Sequence, residues 1–423
     1  MGPNDRPASR FRRLAFTHAA MMGGEASMVV ALADSFFFDV DPGAARGKVL
    51  LFLVISFAPF LLVAPLIGPV IDRIRGGRRF VVQAVAASRI VLQLLMMRFA
   101  DELALFPLVF AALVLQKTYQ VSKSALVPTV VRTERELVEA NSKLGLIAGV
   151  SGVAAVVPAA LLQLAFGSPA TLGYGALLFV VALTASTRLP RDVVAAGPAT
   201  QLQRVELSSS GLQLAAVAML LLRCCVGFVL FHLAFYFRTQ DAGTALFGLA
   251  VGLSSLGTMA GNAIGPRLRS SLHEDNMIVV ALVLPTTAGI VGAILGGELA
   301  GIVLAVVVSF AAAIGRLAFE SIVQREAPSA NHGQAFARFE TRFQFGWVVA
   351  ATVPVVIEIP GALGYLLVGL MSAVALVNYS AGARGRLTRR VVGAQRSARR
   401  RSATPQGGQR RRRRPSVNRV NRR

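Results

Sequence analysis

The chain has 423 residues, of which 54% are hydrophobic and only 15% charged, with a formal net charge of +23. Soluble domains carry about 25% charged residues, so the composition excludes a soluble globular protein, and its apolar content excludes a disordered one. Nor does the charge signal a nucleic-acid-binding domain, because 16 Arg and no acid lie between Ala381 and Arg423.

A helix needs roughly 20 apolar residues to cross the hydrocarbon core of a bilayer. Runs of that length predict spans near 14–38, 49–71, 80–99, 103–122, 143–166, 169–187, 211–237, 243–266, 276–296, 299–319, 336–357 and 360–380. Arg6, Arg10, Arg12 and Arg13 precede the first run, and no small-residue cleavage site follows it, so the first helix reads as retained. Gly, Pro and Ser interrupt many spans, which membrane helices tolerate where neighbours satisfy the backbone. Gly145-x3-Gly149 and Gly248-x3-Gly252 suit close helix packing. The adjacent Cys224 and Cys225 read as packing residues, since neighbours rarely reach disulfide geometry. The long polar interruption, 188–210, reads as a linker between residues 14–187 and 211–380. The expected fold is an all-α membrane protein with 12 transmembrane helices in two pseudo-symmetric six-helix bundles.

Charge sets the expected sidedness. With residues 1–13 placed in the cytoplasm, the loops on that side hold 22 Lys and Arg before the tail is counted, against 4 in the external loops. Cytoplasmic loops are the basic ones, so both termini are expected inside and the protein is expected to be a multi-pass protein of a bacterial plasma membrane. The segment 381–423 lacks the apolar residues of a core and is expected to be a disordered tail. Its Arg residues would attract anionic lipid, and the absence of interleaved aromatics argues against nucleic acid.

The two halves are internally related. Ile67-Gly68-Pro69 closes the second span and Ile264-Gly265-Pro266 the eighth, 197 residues later. Ala125-Leu-Val-Pro128 is echoed by Arg325-Glu-Ala-Pro328 at an offset of 200. Parallel repeats of this kind mark transporters whose halves rock about a central site.

The loop Gly68-Pro-Val-Ile-Asp72-Arg73-Ile-Arg-Gly-Gly77-Arg78-Arg79 resembles the G-x-x-x-D-R-x-G-R-R motif of the major facilitator superfamily, with two extra residues between Arg73 and Gly77. Lys123 to Pro128, with Glu136 to Asn141 after it, is similar to the loop after span four in bacterial facilitators of the drug and siderophore exporter type. The resemblance implies that Gly68, Asp72, Arg73, Arg78 and Arg79 form a latch against the other half; the competing reading makes the Arg residues topology determinants. Span five, Gly149-Val-Ser-Gly152 to Pro158, lacks the G-x-x-x-G-P-x-x-G-G spacing of proton-exchanging exporters.

Ionisable groups within a span cost at least a few kcal/mol each and need a partner or a watery cavity. The candidates for a substrate or proton pathway are Glu25, Asp34, Arg223 and His232, with Arg89 as a structural intramembrane charge. The repeat offset sets Glu25 opposite Arg223 and Asp34 opposite His232, whose imidazole changes charge near physiological pH. Two other readings stand beside these: Glu25 neutralised by Arg89 within the first half, and His232 as a hydrogen-bonded core residue. Lys117, Arg316 and Glu320 are candidates for an inner gate, with basic anchoring as the alternative. No phosphate-binding loop, nucleophile motif or metal-ligand spacing is present in the sequence, so no enzyme activity, cofactor or metal is expected. The expected function is secondary transport by a monomer, exporting a small amphipathic compound with a proton or other ion gradient as driving force; a non-transporting scaffold or a lipid flippase on the same fold is the alternative.

Overall fold

The structure, a computed structural model, describes residues 7–32, 77–99, 105–131, 133, 136–189, 210–237, 243–326 and 332–402. The described residues are helical almost throughout. In chain order the helices are α1 (Pro7–Leu32), α2 (Gly77–Arg98), α3 (Leu105–Val130), α4 (Glu136–Ser186), α5 (Ser210–Phe237), α6 (Gly243–Ser271), α7 (Glu274–Leu295), α8 (Gly297–Glu326), α9 (His332–Val356) and α10 (Gly361–Ser402). The second predicted span, 49–71, lies outside the described residues.

α4 holds two predicted spans joined at a break. Gly167 takes φ 73°, ψ −174°, a conformation essentially confined to glycine. Beyond it Ser168 donates to Ala31 O at 3.0 Å, and Pro169 starts the second segment, where its missing N–H costs nothing. Seven of the helices among the described residues, α2, α4–α8 and α10, are long and apolar enough to cross a membrane. α1, α3 and α9 carry Glu25, Lys117, Lys123, Arg338, Glu340 and Arg342 along their lengths.

The outer surface is apolar. Leu164 is 86% exposed, Ile294 78% and Leu299 74%, beside many other exposed Leu, Val and Phe side chains. Water would penalise such a skin, whereas lipid solvates it, and this is a multi-pass membrane protein. Inside, α1 packs along α4, and α2 against α3 and α4. α8 packs against α5, α6 and α7, and α5 against α9. α10 meets α7 where Gly289 lies on the Gly369 backbone, an approach that leaves no room for a Cβ.

Several helices outrun the predicted spans. Residues 123–130, 320–326 and 332–335 lie beyond the apolar runs that predict the spans, yet they are helical. In the first two of these stretches polar side chains find partners inside the bundle, as Gln324 does with Asn141 and Ser124 O, so the helix need not end where the apolar run does. Residues 1–380 form one compact unit and 381–423 a second. In the second, the backbone is helical through Ser402, where composition predicts disorder from 381. Arg, Ala and Gln are good helix formers, and extending a helix costs less than starting one.

Gly167→Ala is expected to destabilise the protein by about 1–3 kcal/mol, the cost of a side chain in that backbone region. Gly152→Ala, where an added Cβ meets nothing within 4 Å, is expected to leave stability unchanged or raise it slightly. Thermal melts of the detergent-solubilised variants check both.

Candidate functional site

A cavity of about 740 Å³ lies between α1, α3, the first segment of α4, α5, α6, α8 and α9. Helical periodicity builds its wall. On α3, Lys117, Gln120, Val121 and Ser124 recur at three- and four-residue steps and share one face, with Lys123 beside them. α9 does the same with Phe336, Phe339, Glu340, Phe343 and Gln344, α8 with Arg316, Phe319 and Glu320, and α5 with Met219 and Arg223. Met22, Val29 and Val30 on α1 and Met259 on α6 supply an apolar side.

The polar side is a web of charges. Arg316 lies 3.4 Å from Glu320 one turn on, and donates to Asn262 Oδ1 at 3.3 Å. Arg223 on α5 faces Glu340 on α9 at 3.9 Å. Lys117 sits within the field of Glu340 and Arg223, and Lys123 within that of Glu320, Arg316 and Glu340. Phe319 packs edge-on against Phe339 and Phe343, with ring centres 5.3 and 5.1 Å away, so aromatic and charged groups alternate on the wall. His18 faces the same space, its Nδ1 2.9 Å from the Tyr119 hydroxyl.

One end of the cavity is closed by neutral groups. Asn141 on α4 donates to Gln324 Oε1 on α8 at 2.8 Å, and Gln324 donates in turn to Ser124 O on α3 at 3.0 Å. Ser142 donates to Asn262 O on α6, with Gly145 packed against the Asn262 side chain. These contacts join helices that precede residue 190 to helices that follow residue 210. Ser124 and Gln324 are separated by 200 residues, the offset of the internal repeat.

The structure sorts the sequence candidates. Lys117, Arg223, Arg316 and Glu320 meet at the cavity. The proposed Glu25–Arg223 pair does not form: Glu25 binds Arg89 at 2.5 Å, away from the cavity wall. Arg89 is 1% exposed, lies 4.8 Å over the Phe179 ring and also reaches Met28, so this pair ties α1 to α2 inside the buried core. The repeat offset relates positions along the two helices, but the rotation of α1 turns Glu25 toward Arg89 on α2.

His232 likewise stands off the cavity. It is 2% exposed, stacked between Phe228 and Tyr236 and edge-on to Tyr365, with Nε2 3.3 Å from Gly361 O. Its proposed partner Asp34 lies outside the described residues, as do Gly68, Asp72 and Arg73 of the proposed latch. Of that latch, Arg78 donates to Ala125 O at 3.1 Å and Arg79 to Leu189 O at 3.3 Å, both within the first half of the chain. Sequence reasoning missed Asn141, Asn262, Gln324, Lys123 and Glu340 as wall or closure residues. The signal for Gln324 was the repeat itself, which pairs it with Ser124. Among the described residues no group of three His, Cys, Asp or Glu side chains is placed to hold a metal ion.

Comparison with known proteins places the fold. No protein-family model matches the chain. An uncharacterized protein of Mycobacterium leprae is 28% identical over 404 residues, 85% of this chain and 69% of that protein. An uncharacterized protein of Mycobacterium tuberculosis is 35% identical over 188 residues, 40% of this chain and 32% of its own length. Among solved structures, a bacterial homologue of the iron transporter ferroportin in an outward-facing state superposes with TM-score 0.70 at 18% identity, covering 88% of this chain and 99% of that one. The fucose:proton symporter of Escherichia coli gives 0.67 at 11%, covering 88% and 98%, and the human organic anion transporter MFSD10 gives 0.66 at 14%, covering 90% and 100%. The chain has the fold of the major facilitator transporters.

Removing one member of a buried ion pair costs about 3–5 kcal/mol, whereas replacing both is often neutral. Arg89→Met is therefore expected to abolish most monodisperse protein in size-exclusion chromatography. The double variant Glu25→Gln/Arg89→Met is expected to recover most of it; a double variant as unstable as the single one would contradict the pairing.

Proposed function

We propose that the chain is a secondary active transporter of the major facilitator class that exports a small amphipathic compound by alternating access. In this reading twelve spans form two six-helix halves, 14–187 and 211–380, with both termini on the cytoplasmic side of a bacterial plasma membrane. The observation that carries the reading is the cavity wall. Helices from both sides of the linker supply it, and a few hydrogen bonds between neutral groups close one end. Each such bond is worth about 0.5–1.5 kcal/mol net, so the hydrogen-bonded part of the closure lies within the few kcal/mol that a bound ligand can redistribute between two states.

Basic loops mark the closed end as cytoplasmic, and the conformation is then outward-facing. The rigid parts are the two halves, each held by its own buried contacts, and the moving part is the layer of Ser124, Asn141, Ser142, Asn262 and Gln324. If protons drive the cycle, Glu320 and Glu340 carry them among the described residues, because Glu25 is committed to Arg89. The Arg-rich tail holds anionic lipid of the inner leaflet, each Arg close to the surface contributing about 1 kcal/mol.

Metabolites and lipids in cells and medium should be compared between a deletion strain and strains restored with wild type or Arg223→Gln. The expected result is a compound retained by the deletion strain, released with wild type, and retained again with Arg223→Gln at equal membrane levels. If no compound moves with the gene, the transport reading fails.

A further inference from the structure

Among the described residues the charges on the cavity wall do not cancel. Lys117, Lys123, Arg223 and Arg316 bring four cations, against the two carboxylates of Glu320 and Glu340. Charge in a membrane interior is costly and persists where it serves a pathway or a partner.

Arg223 is incompletely satisfied by the described residues. Its distance of 3.9 Å to Glu340 is an ion pair but too long for a hydrogen bond. Its Nε is buried with no hydrogen-bond partner among the described residues, while the side chain remains 31% exposed. A guanidinium is a planar fork of donors suited to a carboxylate, sulfonate or phosphate group. Phe339 and Phe343, on the same helix as Glu340, line the same cavity and suit an apolar body.

We infer that the substrate of this cavity is an amphipathic organic anion, its acidic head held by Arg223 with Lys117, Lys123 and Arg316 around it and its apolar body against the α9 aromatics. The inference rests on the transport reading only for movement across the membrane; binding stands apart from it. The excess of cations disfavours an amphipathic cation, and the undirected donors of Arg223 disfavour a neutral compound.

The test uses the full chain in a nonionic detergent and three probes with one apolar body: 2-naphthalenesulfonate, 2-naphthylmethylammonium and 2-naphthalenemethanol. Equilibrium binding is measured for wild type, Arg223→Gln and Glu340→Gln. The sulfonate is expected to bind at least tenfold tighter than the other two. Arg223→Gln is expected to erase that preference, and Glu340→Gln to strengthen sulfonate binding several-fold, a gain that misfolding cannot imitate. Equal or tighter binding of the ammonium or the alcohol, no binding of the sulfonate, or sulfonate binding unchanged by both substitutions would overturn the inference. Exchange of the probes across proteoliposome membranes separates the two readings. Sulfonate that binds through Arg223 but does not exchange keeps the anion site and removes transport; exchange of the ammonium in its place keeps transport and removes the anion site.

Discussion

A charge inside a bilayer must be neutralised by a partner or reached by water, and the way this chain meets that demand organises everything else. Glu25 and Arg89 meet it by burying each other beneath Phe179, which fixes the rotation of α1 against α2 and α4. Lys117, Lys123, Arg223, Arg316, Glu320 and Glu340 meet it by sharing a cavity. The first solution makes a rigid wall, and the second makes a place where something other than protein can complete the charge balance.

The same contrast separates the parts that hold from the parts that give way. Apolar contacts are extensive: one cluster runs from Met21, Leu126, Leu144 and Phe179 to Met219, Phe319, Ile322 and Phe336 and so crosses between the sets, and a second gathers Phe228, Tyr365 and Val368. Between the sets, hydrogen bonds of Asn141, Ser142, Asn262 and Gln324 close one end of the cavity. Amides trade a partner for water at little net cost, whereas pulling apart a buried apolar face would expose surface at about 25 cal/mol per Å². A rocking motion along this seam would exchange the amide bonds at little cost and would also have to part the apolar contacts that flank them.

Much of this architecture was legible in the sequence. Apolar runs located the helices, including the break that falls at Gly167, because span length and glycine geometry are local properties. The convergence of Lys117, Arg316 and Glu320 was legible from their positions on related helices. What the sequence left open was helix rotation. Glu25 had two eligible partners, Arg223 and Arg89, and only tertiary packing chose between them. His232 was a possible proton carrier by residue type, yet Phe228 and Tyr236, one turn to either side, already announced an aromatic stack. Lys123 falls in the motif that resembles the loop after span four and Glu340 in the predicted span 336–357, and neither position by itself shows that the side chain faces a cavity. The closing amides carry no charge to count, and only the repeat offset of 200 pointed to Gln324.

The central claim is that the amide layer opens and closes. Spin labels at Glu139 on α4 and Ser270 on α6 flank it, on a background with Cys224 and Cys225 replaced by Ala. Pulsed electron resonance in liposomes would report the distance between them, with and without 2-naphthalenesulfonate. The account predicts two distance populations, one matching the closed layer and one longer, whose ratio shifts when the anion is added. A single short distance under every condition would show a fixed scaffold and contradict it.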